Sequence, residues 1–201
     1  MITNTFFSLS LCFAVSTTAF AAPAKWMQSY DAGYLDKNGA YAGGSEIMHL
    51  AAHKEKLYAA NGYWLDARWV IPPEGQKQSA QVLRLDKADG RWQVDLDLGR
   101  GNDLGLEFMK GNILKSVSFS TTGEGRVLNT PVQLLVMAAG ANFERGGAVS
   151  AWVRDDAAGK WHHTLVRHGS NAGGVRWVPR DLQVYRDRVT GLDRIFRLLG
   201  N

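Results

Sequence analysis

The stretch Leu85-Asp86-Lys87-Ala88-Asp89-Gly90-Arg91-Trp92 recurs as Arg154-Asp155-Asp156-Ala157-Ala158-Gly159-Lys160-Trp161. Both copies fit Asp-x-x-x-Gly-(Lys/Arg)-Trp, and Trp161 lies 69 residues beyond Trp92. Each follows an apolar run, Ala80 to Leu85 or Ala148 to Val153, and precedes another short one. That pattern predicts a β-hairpin whose turn runs from Asp to Gly. A hairpin returning at a long fixed interval marks a repeat architecture. In such turns Asp can accept backbone N–H bonds, Gly can take the left-handed conformation, and Trp can cap the space between sheets. Asp86, Gly90, Trp92, Asp155, Gly159 and Trp161 are therefore expected to be scaffold.

The rest of the chain has the period of strands. Glu46 to Trp64, Ala80 to Leu98, Leu104 to Thr121, Val132 to Phe143, Ala148 to Val166 and Leu182 to Phe196 are rich in Val, Leu, Tyr, Trp and Phe. Gly, Asn and Asp punctuate them, and no window of a dozen residues holds a helical stripe. A weaker repeat supports the first. Lys56 to Gly62 resembles Arg194 to Gly200, 138 residues on, and Val136 to Gly140 is a middle copy out of strict register. The unit is two inner strands, a variable loop, then the outer Asp…Gly-x-Trp hairpin. Four antiparallel strands per repeat make a propeller blade.

These motifs resemble those of kelch and sialidase-like β-propellers. Val136 to Gly140, Gly146-Gly147, Asp155, Gly159 and Trp161 are similar to a kelch blade, and Asp86, Gly90 and Trp92 to its second half. Leu85 and Arg154 stand where a kelch tyrosine would precede the Asp, and Asp89-Gly90-x-Trp92 approaches a sialidase Asp box without its Ser/Thr. The resemblance implies an all-β fold of antiparallel, four-stranded, blade-like sheets, an incomplete propeller; a compact β-sandwich is the alternative. It says little about activity. The expected organisation is a signal peptide at 1–21, a leader packing on the fold at 22–44, and a β domain at 45–201. Its units fall at about 45–103, 104–180 and 181–201, the last incomplete. Closed propellers have about four to eight blades. The sequence thus suggests a truncated propeller whose open sheet edges invite self-association.

Phe6 to Val15 is apolar, and Ala19-Phe20-Ala21 is an A-x-A cleavage pattern, as in a secretory signal. The segment is too short for a membrane span. The single cysteine, Cys12, lies inside it, so the mature chain forms no internal disulfide and must be held by core burial. The net charge of +4 comes from basic residues spread singly among acids, as in Arg186-Asp187-Arg188, a solvated surface and not a nucleic-acid site.

Motifs for chemistry are few. His162-His163 would point to opposite faces of a strand, and the His49 to His53 spacing would straddle a turn, so neither holds a metal, and His168 stands apart. Asp181, Asp187 and Asp193 read as ion-paired surface. No phosphate loop, nucleophile elbow, catalytic cysteine or cofactor motif is present, and no motif marks a catalytic residue. Tyr63, Trp64, Trp69, Trp152 and Trp177, near Gly or Asn, are the candidate ligand-binding residues, since aromatic faces receive sugar rings and extended peptides.

The expected function is an exported, periplasmic or secreted, non-catalytic binding module for a glycan or protein ligand. A fragment of a sialidase-like glycoside hydrolase and a truncated frame without its own function are the alternatives. If the signal is cut, N-terminal sequencing of exported protein begins at Ala22; Met1 retained on cytoplasmic protein would refute export.

Overall fold

Residues alternating between apolar and polar cannot bury one face as helices, but a pleated strand sends successive side chains to opposite sides. A computed structural model of the chain describes residues 27–63, 78–99, 106, 108–141, 148–167 and 178–200. Strand accounts for 61% of these residues and helix for none, so the all-β expectation holds. The strands are β1 (Tyr34–Leu35), β2 (Tyr41–Ala42), β3 (Glu46–His53), β4 (Lys56–Gly62), β5 (Gln81–Leu85), β6 (Gln93–Asp97), β7 (Ile113–Thr121), β8 (Val127–Gly140), β9 (Val149–Asp155), β10 (Lys160–Arg167), β11 (Val178–Arg186) and β12 (Asp193–Gly200).

Two antiparallel meanders form, β3-β4-β5-β6 and β7-β8-β9-β10, with the hairpins β1-β2 and β11-β12 beside them. Among the described residues none of the sheets closes into a barrel. The 69-residue recurrence is preserved in the pairing: Arg84 faces Gln93 as Val153 faces His162. The weaker repeat also has a structural meaning. Lys56 to Gly62, Val136 to Gly140 and Arg194 to Gly200 are all on the second strand of their sheets.

The two faces of each meander are covered by different neighbours. Tyr58, Ala60 and Val82 of the first sheet meet Leu114, Leu135, Met137 and Trp152 of the second in one buried cluster. On the far side of the first sheet, Ala59, Leu83, Leu85 and Trp92 pack under Tyr30, Tyr34 and Ala42. On the far side of the second, Ile113, Val136 and Ala138 pack against Leu182 and Val184 of β11. The order of layers is therefore N-terminal segment, first sheet, second sheet, last hairpin. The first strands lie together at one edge, β3 against β7 and β7 against β11.

Buried amides fasten the N-terminal segment. Asn61 and Gln81 are fully buried, and Asn61 Nδ2 donates to Gly43 O at 2.7 Å while Gly43 N donates to Gln81 Oε1 at 3.0 Å. Gln81 Nε2 reaches Tyr41 O at 2.8 Å. The approach is so close that a Cβ at Gly43 would collide with the Tyr63 hydroxyl oxygen, and Gly44 has φ +105°. Asp36 Oδ2 accepts from Val94 N at 3.0 Å, tying the same segment to β6.

Trp92 is 4% exposed, donates Nε1–H to Ser29 Oγ at 3.3 Å, and stands edge-on to Tyr30. Replacing Trp92 with Ala should cost about 3–5 kcal/mol and speed tryptic cleavage after Lys37. Calorimetry and timed proteolysis with mass readout check both; unchanged stability would mean that this segment does not cap the first sheet.

Candidate functional site

At the turn end of the two meanders, charged residues converge between the sheets. Asp95 on β6 has a side chain only 3% exposed, a costly place for a carboxylate without partners. It accepts from Arg84 Nη1 at 2.5 Å, Arg154 Nε at 2.7 Å, Arg154 Nη2 at 3.2 Å and Trp161 Nε1 at 2.8 Å. Two of these donor residues lie on β9 and β10, so the carboxylate joins the sheets. Arg154, 6% exposed, also donates Nη1–H to Asp156 Oδ1 at 2.7 Å and lies over the Tyr58 ring, 5.4 Å from its centre. Burial opposes the guanidinium charge, but Asp95 and Asp156 overcome it and raise the pKa.

The network continues to a histidine. His53, with no exposed side-chain area, places Nε2 2.9 Å from Asp156 Oδ2 and Nδ1 2.8 Å from Ser116 Oγ. Lys54 Nζ lies 2.7 Å from the same Asp156 oxygen. Burial would raise the Asp156 pKa, yet Lys54, His53 and Arg154 together hold it well below the ordinary 3.8. An ionised carboxylate only accepts, so Nε2 donates to Asp156, and in a neutral imidazole Nδ1 would then be the nitrogen that accepts from the Ser116 hydroxyl. The turn that brings Lys54 here is a two-residue hairpin with left-handed Lys54 (φ 45°) and Glu55 (φ 63°), residues that ordinarily avoid that region.

The repeat turns differ in chemistry. Asp155 Oδ1 accepts from Ala157 N at 3.0 Å and Ala158 N at 3.1 Å, and Gly159 has φ +62°, as a turn signature requires. Asp86 instead pairs with Lys56 Nζ and Arg84 Nε, each at 2.8 Å. Gly90 is not left-handed among the described glycines; a Cβ there would meet Lys87 O at 2.9 Å. Trp92 and Trp161 each face the layer preceding their own sheet, the N-terminal segment and the first sheet respectively.

Of the aromatic candidates, Tyr63 is completely buried, and burial pushes its phenol up to about 12. Trp152 is 6% exposed, edge-on to Phe108 and stacked on His163 at 4.9 Å. Both fill the core. Trp64, Trp69 and Trp177 lie outside the described residues, as do His168 and Gly146-Gly147. His49 and His53 do not straddle a turn: both lie on β3. Asp181, Asp187 and Asp193 are ion-paired as expected, to Lys115, Arg194 and Arg186, and two of them do more. Asp193 accepts from Ser120 N and Thr121 N, and Asp181 pairs with Lys115, so two of them dock the last hairpin.

Exposed aromatics are found elsewhere, on the outward side of β11-β12. Tyr185 (48% exposed) and Phe196 (55%) meet edge to face with centres 5.7 Å apart. Gln183 pairs with Phe196, and Tyr185 with Arg194, so all four share that side. No family model, curated protein or solved structure matches this chain.

Breaking the buried network tests its weight. Asp95→Ala leaves Arg154 without its fork partner and should cost about 3–5 kcal/mol. Asp156 adds a pH signature. Its pKa is lower folded than unfolded, so its contribution is complete above its ordinary value of 3.8 and is lost as pH falls below it. Asp156→Asn should therefore flatten the acid limb of stability against pH; an unchanged limb would remove Asp156 from the account.

Proposed function

We propose that this chain is an exported binding module on a propeller-like scaffold of the kelch and sialidase kind, and that a glycan or protein ligand docks on the outward side of β11-β12. The observation that carries the binding role is the Tyr185–Phe196 pair, which keeps about half its surface in water while Tyr58, Tyr63, Trp92, Phe108 and Trp152 are buried. Aromatic rings beside an amide and a guanidinium supply apolar area with hydrogen-bond donors at its rim, the composition of a recognition surface.

The scaffold reading is supported by sheets stacked face to face, with their first strands gathered at one edge, the relation of neighbouring blades around an axis. Export is supported by the apolar segment and the Ala19-Phe20-Ala21 site. Among the described residues no helix is long and apolar enough to cross a membrane.

Screening the mature chain against oligosaccharide and peptide arrays distinguishes the two ligand classes. Tyr185→Ala and Phe196→Ala should each weaken whatever binds by about tenfold or more while leaving stability within about 0.5 kcal/mol, as exposed positions do. A ligand whose affinity ignores both substitutions would place recognition on another surface.

A further inference from the structure

Ser116, His53 and Asp156 come from β7, the end of β3 and the β9-β10 turn, 63 and 103 residues apart in pairs. They form a line: hydroxyl to imidazole at 2.8 Å, imidazole to carboxylate at 2.9 Å. A clamp between sheets needs only that the line be satisfied. Here its members also differ in access, because Ser116 is exposed while the His53 side chain is wholly enclosed. The hydroxyl of this exposed residue is backed by a base oriented by an anion.

A groove lies beside the line, on its Lys54 side. A surface depression of about 600 Å³ is lined by Lys54, Ser118, Thr130, Pro131, Val132 and Gln133. Ser118 is two residues along β7 from Ser116 and so on the same face, and Lys54 links groove and network through its 2.7 Å contact with Asp156. Its ammonium has three protons, so one can hold Asp156 while others meet a substrate oxygen.

We propose that Ser116 is a nucleophile, His53 its general base and Asp156 the orienting carboxylate in a site that hydrolyses short acyl esters of polyhydroxy alcohols. Hydroxyls and an amide in the groove suit an oxygen-rich alcohol, Pro131 and Val132 give apolar contact for a small acyl group, and the Lys54 cation suits a developing oxyanion. In the first half, Ser116 Oγ bonds to the ester carbonyl carbon as its proton passes to His53 Nδ1, and the carbonyl π pair moves onto oxygen. When that pair returns, the carbon–alkoxide bond breaks and the alcohol leaves with the proton from Nδ1. In the second half, water repeats the attack on the acyl-serine, its proton passing through Nδ1 to Ser116 Oγ. Ester and water become acid and alcohol, with no oxidation or reduction. This step goes beyond the binding role and stands independently of it.

The test uses the mature chain, a fluorophosphonate probe and 4-nitrophenyl acetate. Folded protein should take up one probe on Ser116, located by peptide mass mapping, and heat-denatured protein none. Ser116→Ala should stay folded, its melting temperature lowered by only a few degrees as the enclosed His53 Nδ1 loses its partner, and should lose both labelling and ester turnover by about a hundredfold. Ser116→Cys gives a readout a purely structural line would not move. Alkylation of its thiol by iodoacetamide should slow about tenfold when Asp156→Asn is added, as the ion-pair support for the thiolate is lost. Folded wild type that leaves Ser116 unlabelled, or alkylation of the Ser116→Cys variant that is indifferent to Asp156, would overturn the proposal.

Discussion

Asp95 is the constraint on which the arrangement of the layers depends. Its carboxylate stands on the outer strand of the first sheet yet takes three of its four hydrogen bonds from Arg154 and Trp161 of the second. Apolar faces alone would let two sheets slide or rotate, since burial is non-directional. A buried ion tolerates no such freedom, because a small displacement strands charge in a low-dielectric interior. The forked guanidinium and the indole N–H thus fix how the meanders sit on one another, and the apolar cluster around Met137 and Tyr58 supplies most of the attraction.

Each further layer is attached by a device of its own. The N-terminal segment has too little strand to pair with the first sheet, so its backbone groups are met by the side chains of Asn61 and Gln81, while its own Asp36 reaches β6. The last hairpin relies on Asp193, whose carboxylate takes the Ser120 and Thr121 amides and stays ionised mainly through Arg186. Lys115 donates to Leu182 O at 2.9 Å on the other strand of that hairpin. In every case a polar group settles position, and hydrophobic residues fill the space behind it.

Much of this was legible in the sequence. Alternation and turn residues gave the strands, and the 69-residue interval gave two hairpins that share their register beside the turn, because pairing there is set by short-range pattern. What escaped depends on neighbours far along the chain. Alternation shows that a strand has two faces but not which one another layer will cover, so Tyr63 and Trp152 read as surface and Tyr185 and Phe196 passed unnoticed. Turn chemistry escaped at Asp86, where Lys56 and Arg84 on nearby strands outcompete the backbone for the carboxylate. Lys54 and Glu55 carried no turn signal, since neither is Gly, Asn or Asp.

The line from Ser116 to Asp156 shows how one network can fix a fold and leave a group poised. Arg154 is held by Asp95 for structural reasons, and its remaining N–H helps keep Asp156 ionised. An ionised Asp156 dictates that Nε2 of His53 carries a proton, and in a neutral imidazole that leaves the Nδ1 lone pair facing the Ser116 hydroxyl. None of the three residues could be placed by motif, because each comes from a different strand or turn and the meeting requires both sheets. The interaction that sets the layers therefore also sets the tautomer, and whatever chemistry Ser116 has follows from the packing of the meanders rather than from any local sequence.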